Sequence, residues 1–85
     1  MPKRTQHADA AAFGAVIRRL RTDRGWTIAA LARKLGMNAT HLGVLERGEN
    51  IPSLLTILSI ARSLGVPASA IFAAMERRAE AEKIL

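Results

Sequence analysis

Glycines at positions 25, 36, 48 and 65 cut this 85-residue chain into short segments, each carrying apolar residues at helical spacing. Phe13, Val16, Ile17 and Leu20 follow the i, i+3, i+4, i+7 recurrence that turns one helix face toward a core. Asp9 is placed to cap this first helix, and Gly25 closes it just after Arg24. Thr27 is a natural N-cap for a second helix, with Trp26 before it packing on Leu31 as a hydrophobic staple. Leu31, Ala32 and Leu35 give that helix its buried face, and Gly36 ends it. Asn38 caps a third helix, whose inner positions are Leu42 and Leu45 and which stops at Gly48. After the loop Glu49-Asn50-Ile51-Pro52, Ser53 caps a fourth, with Leu54, Ile57, Leu58, Ala61 and Leu64 as its core face and Gly65 at its end. Pro67 opens a fifth, in which Ile71 and Phe72 read as core. The expected fold class is all-α, five helices around one core.

Composition agrees with that class. Apolar residues make up 49% of the chain and aromatics only 4%, so Leu, Ile, Val, Met and Ala must build the core, which suits packed helices better than a small sheet. The chain has no Cys, which removes disulfides and thiolate metal sites. No apolar run approaches the ~18–20 residues of a membrane span, and the polar N-terminus lacks a signal-peptide stretch. A soluble, cytoplasmic protein without membrane contact is expected. Residues 1–8 are expected to be a disordered arm, 9–75 the folded domain, and 76–85 a helical extension rich in Ala, Glu and Arg.

Charge is unevenly placed. Residues 1–47 hold nine Lys and Arg against three carboxylates, while residues 48–85 hold four of each. The whole net charge of +6 therefore belongs to the first half, which fits a polyanionic partner there. His41 has no second His, Cys or carboxylate at ligand spacing and His7 lies in the arm, so no metal site is expected. Paired carboxylates, a nucleophile beside a base and a phosphate-cradling glycine loop are all missing from the sequence, so neither an enzyme nor a cofactor is expected.

The informative segment is 27–46. Two helices of two to three turns are joined by Leu35-Gly36-Met37, too short a link for them to run antiparallel. Small Ala29 and Ala32 let the backbones approach. The third helix then lies on the surface, with the residues between Leu42 and Leu45 facing out, in a form that fits the ~12 Å major groove of B-DNA.

Phe13-Gly14-x-x-Ile17-Arg18-x-Leu20-Arg21, Gly25-Trp26-Thr27, Leu31-Ala32-x-x-Leu35-Gly36, Leu42-x-x-Leu45-Glu46-Arg47-Gly48, Pro52-Ser53 and Ile60-Ala61-x-x-Leu64-Gly65-Val66 together resemble the phage-repressor (Cro-like, XRE) helix-turn-helix family. The resemblance spans residues 13–72. It implies a five-helix lambda-repressor-like domain that binds double-stranded DNA sequence-specifically and regulates transcription, commonly as a homodimer on a palindromic operator. Its recognition helix maps to 38–47, with base contacts at Asn38, Ala39, Thr40, His41, Gly43 and Val44. Phosphate contacts map to Thr27 and Ile28 and to the loop from Arg47 to Asn50. A structural ion pair that pins the first helix to the third maps to Arg21 and Glu46.

Two positions depart from the pattern. Many members carry Gln where this chain has Ile28 and Glu where it has Ala30, so phosphate anchoring must lean on backbone N–H groups and Arg side chains. The recognition helix is also poor in bidentate base readers. Ala39, Val44 and the Thr40 methyl suit thymine methyls, while Thr40 and His41 supply hydrogen bonds. Modest discrimination per half-site is expected, with dimerisation or DNA shape contributing the rest.

Trp26 reads as core and not as a base-stacking platform. Lys3 and Arg4 have two readings, a minor-groove arm or a solvated terminus. Met75, Ala79, Ile84 and Leu85 form either a dimer seam or an amphipathic tail. The short layout is similar to that of restriction–modification controller proteins. The alternative from another class is a protein-interaction module, such as an antitoxin that binds a protein partner through its C-terminal helix.

Overall fold

The computed structural model describes the backbone of residues 2–84 and the side chains of residues 8–81. Within them run α1 (Pro2–Asp23), α2 (Ile28–Leu35), α3 (Ala39–Glu46), α4 (Leu54–Leu64) and α5 (Ala68–Ile84). Helix α1 packs on α5 and α3, α2 on α3 and α4, and α4 on α5. Their shared core is Phe13, Val16, Ile17, Leu31, Ala32, Leu42, Leu45, Ile60, Ala61, Leu64 and Ile71. No single helix among the described residues is long and apolar enough to cross a membrane.

The starts of α2, α3 and α4 follow the expected caps. The Thr27 hydroxyl accepts the Ala30 N–H at 3.0 Å, Asn38 Oδ1 accepts that of His41 at 2.7 Å, and Ser53 Oγ accepts that of Thr56 at 3.1 Å. Helix ends are equally local. At the α2–α3 turn, Gly36 sits at φ 70°, its N–H donates to the Arg33 carbonyl, and the Met37 N–H reaches back to that of Ala32 at 3.0 Å. A side chain at that left-handed φ would crowd its own backbone, so glycine is the natural residue there. The same two reverse bonds recur after α1, α3 and α4. Trp26 is half-buried against the core, with Lys34 Nζ 4.7 Å from its ring centre, so it serves the fold as expected.

Several expectations are corrected. Helix α1 begins at Pro2, so Asp9 lies inside the helix instead of capping it. Pro2 tolerates the first turn, and no breaker separates it from Phe13. Leu54 is 66% exposed; Ile60, absent from the expected stripe, takes a core position with Ala61 and Leu64, while Ile57 and Leu58 are half-buried. Phe72 is 41% exposed and lies beside the core, which Ile71 enters. Ala32 is buried as expected, whereas Ala29 faces solvent.

What fixes α3 is its contact with α1. The Arg21 guanidinium donates to both Glu46 oxygens, from Nε at 2.8 Å and Nη2 at 2.9 Å, while Nη1 donates to the Trp26 carbonyl at 2.9 Å. These side chains are 12% and 5% exposed, and the hydrogen bonds to Glu46 raise the Arg21 pKa further. About two helical turns nearer the α1 start, Gly14 lies so close to the end of α3 that a Cβ would collide with the Leu45 and Glu46 carbonyls. A Cβ on Gly48 would come within 2.6 Å of Ala11 Cα. Backbone thus packs on backbone beside the ion pair, at two points of α1 that precede Arg21.

Two substitutions test this clamp. In an open helix Gly→Ala stabilises by roughly 0.5–1 kcal/mol, so the sign of the change is informative. Gly14→Ala should instead destabilise by about 2 kcal/mol through overpacking, lowering Tm by about 8–16 °C in a circular-dichroism melt. An unchanged or higher Tm would refute the contact. Glu46→Ala leaves Arg21 nearly buried and unpaired and should cost about 3 kcal/mol by urea denaturation; a loss below 1 kcal/mol contradicts the pairing.

Candidate nucleic-acid interface

Helix α3 has eight residues, about 12 Å of rod. Leu42 and Leu45 are buried in the core, and Glu46 turns toward Arg21. The faces that remain outward carry Thr40 and His41, both exposed, and half-buried Val44, with exposed Asn38 at the cap. The Asn38 carboxamide oxygen is occupied by the His41 N–H, which leaves its NH₂ as a donor. The outward stripe therefore offers one hydroxyl, one imidazole, one amide NH₂ and two apolar surfaces, the Thr40 methyl and Val44.

Two expected base contacts do not belong to it. Gly43 is buried: a Cβ there would lie 3.1 Å from Arg47 Nη1 and 3.6 Å from Ile28 Cδ1. Ala39 is half-buried and packs against the core. The family resemblance placed both on the outward face. It could not register that α2 closes over one side of α3.

Ile28 explains that closure. Its side chain packs beside Gly43, so the first turn of α2 is apolar where a polar phosphate ligand was missing from the sequence. The hydroxyl of exposed Thr27 is engaged as a cap acceptor. The N–H groups of Ile28 and Ala29 belong to the helix-start donors that no intrahelical carbonyl satisfies, and they are the natural anion ligands of this turn.

Beside them lies a cleft of about 330 Å³, lined by Arg18, Arg21, Ile28, Gly43, Glu46 and Arg47. From sequence, Arg18 is one of five cations, with Arg19, Arg24, Arg33 and Lys34, that read either as solvated helix charges or as phosphate contacts, and one signal separates it from the others. Arg18 precedes Arg21 by three residues on α1, so once Arg21 binds Glu46, Arg18 must stand next to the end of α3. Arg47 is exposed and lies across Gly43, with its guanidinium held by Glu49 at 3.0 and 3.2 Å. These bonds raise the Arg47 pKa and lower that of the Glu49 carboxyl. Asn50 is exposed, its side-chain oxygen accepting the Ile51 N–H at 3.2 Å.

The remaining expected contacts lie elsewhere. Met75 is half-buried along a groove of about 320 Å³ with Phe13, Ile51, Pro52, Ile57 and Phe72, and Ala79 is exposed beyond it. The side chains of Ile84 and Leu85, and of Lys3, Arg4 and His7, lie outside the described residues. Among the described residues no cluster of His, Asp or Glu has the geometry to hold a metal.

Comparison with known proteins matches this arrangement to a family. The helix-turn-helix family HTH_3 matches residues 17–71, more than half of the chain. The HTH-type transcriptional regulator SutR of Escherichia coli strain K12 is 40% identical over 53 residues, 62% of this chain and 30% of that protein. An uncharacterized HTH-type transcriptional regulator of Mycobacterium bovis is 41% identical over 54 residues, 64% of this chain and 21% of that protein. The chain thus spans less than a third of the length of these relatives. Among solved structures, the clp gene regulator ClgR from C. glutamicum superposes with a TM-score of 0.79 at 27% identity, covering 82% of this chain and 91% of that one. The restriction-modification controller protein C.AhdI from Aeromonas hydrophila superposes with a TM-score of 0.73 at 34% identity, covering 76% of this chain and 94% of that one. This chain belongs to the helix-turn-helix family HTH_3.

Proposed function

We propose that the protein is a transcription regulator that binds double-stranded DNA sequence-specifically, inserting α3 into the major groove. The observation that carries this reading is the stripe of Asn38, Thr40, His41 and Val44, outward on a helix whose other faces are held by α1, α2 and the core. Arg18, Arg47 and the start of α2 flank it, where a duplex would bring its phosphates. With one hydroxyl, one imidazole and one amide per half-site, base discrimination is limited, and a second half-site supplies the rest. The regulators SutR and ClgR support the class of function, and the likeness to C.AhdI supports a controller-type regulator.

The active form in this reading is a homodimer. The contact face differs from the Met75–Leu85 seam expected from sequence. Among the described residues, the large exposed apolar side chains are Ile51, Leu54, Leu55 and Phe72. Ile51 and Phe72 line the 320 Å³ groove, and Leu54 and Leu55 follow it directly in sequence, so projecting and receiving elements neighbour each other, as a two-fold interface needs. Residues 48–76 carry a single cation, Arg62, so two strongly basic chains can approach here without facing their like charges. Among the described residues, exposed apolar surface thus concentrates at 51–72, and a second copy is the occupant we assign to it.

Selection of bound duplexes from a random pool should return a palindrome whose half-sites are centred about 34 Å apart, one helical turn. Affinity for it should fall ~10³–10⁵-fold between 50 and 200 mM salt for ~6–10 neutralised phosphates. An unenriched pool or a flat salt response would sink the DNA reading. For the assembly, sedimentation velocity should give a dimer for the wild type and a monomer for Leu54→Glu/Leu55→Glu, with the helical spectrum retained. A variant that stays dimeric would remove this face from consideration.

A further inference from the structure

The arginine best placed to take a phosphate is already bound by a carboxylate. Arg47 directs Nε and Nη2 at the two oxygens of Glu49, 3.0 and 3.2 Å away. This side-by-side pair of N–H···O bonds is also how a guanidinium grips two oxygens of a phosphate. A guanidinium held in this way cannot make the same bidentate contact with DNA. Glu49 and Arg47 are 55% and 57% exposed, so the pair opens to solvent without disturbing the core. The contrast with Glu46 is instructive: that carboxylate is 5% exposed and committed to Arg21. Two glutamates three residues apart thus hold two arginines, one permanently and one exchangeably.

We infer that Glu49 acts as an internal stand-in for a DNA phosphate and sets how strongly the protein grips duplex without regard to sequence. The inference rests on the DNA-binding reading above. In the unbound protein Glu49 satisfies Arg47 and keeps it across Gly43, beside the cleft that Arg18 and Ile28 share. On DNA a phosphate replaces the carboxylate, and the freed Glu49 remains close to the polyanion. Both the exchange and that proximity weaken binding, and both act on any sequence. Glu49 is a positioning residue in this scheme, since its effect passes through Arg47.

The test is fluorescence anisotropy with a labelled random-sequence duplex of ~21 bp, two helical turns, across 50–200 mM salt. It uses the wild-type chain, Glu49→Gln, Arg47→Ala and the double variant, each checked for an unchanged Tm. Glu49→Gln should bind about 3–5-fold more tightly at the low-salt end, a gain in the range of an exposed ion pair. Its log-affinity against log-salt slope should steepen by up to about 0.9 per copy, the value of one phosphate. In the Arg47→Ala background the Glu49→Gln gain should shrink to under twofold. Unchanged or weaker binding by Glu49→Gln overturns the inference, and so does an equal gain without Arg47, which would make Glu49 a plain repulsive charge. Wild-type protein without salt-dependent duplex binding would instead overturn the DNA reading, and this inference with it.

Discussion

The bidentate bond between Arg21 and Glu46 decides where everything functional points. Helix α3 contributes only two large side chains, Leu42 and Leu45, to the core, too few to fix the rotation of so short a rod. The pair adds two directional bonds at its C-terminal end and, through the Trp26 carbonyl, also ties down the turn that leads into α2. Its near-complete burial makes it a poor source of net stability but a strict one of orientation, because any other angle strands a charge away from water. Gly14 and Gly48 make the bond possible, since bulkier residues would hold the helices too far apart for the guanidinium to reach.

Around that clamp the molecule divides its surface by charge. The end of α3, the start of α2 and the adjoining stretch of α1 gather arginines about the outward stripe. The loop after α3, α4 and the start of α5 are nearly free of charge and leave apolar side chains in water. The two faces adjoin through six residues, Arg47 to Pro52, so whatever engages the apolar face also bears on α3.

Much of this was legible in the sequence because it is encoded locally. Thr27, Asn38 and Ser53 cap helices through bonds that span three residues, and each helix-ending glycine acts within six. The Arg21–Glu46 pair spans 25 residues and was accessible only through the family resemblance. Where reading failed, the missing information was tertiary. Periodicity allotted Leu54 to the α4 core because nothing local distinguishes it from Ile60, whose place depends on where α2 and α5 pack. Gly43 and Ala39 looked outward for the same reason, until Ile28 and the core covered them.

The separation of duties along α3 has a consequence for how such a protein can diversify. Thr40, His41 and Val44 hold no buried hydrogen bond and no place in the core cluster, whereas Leu42, Leu45 and Glu46 hold the scaffold. Exchanging the first set leaves the second untouched, so new binding preferences can be explored at little cost in folding. The clamp on α1 is what makes the outward surface of α3 replaceable.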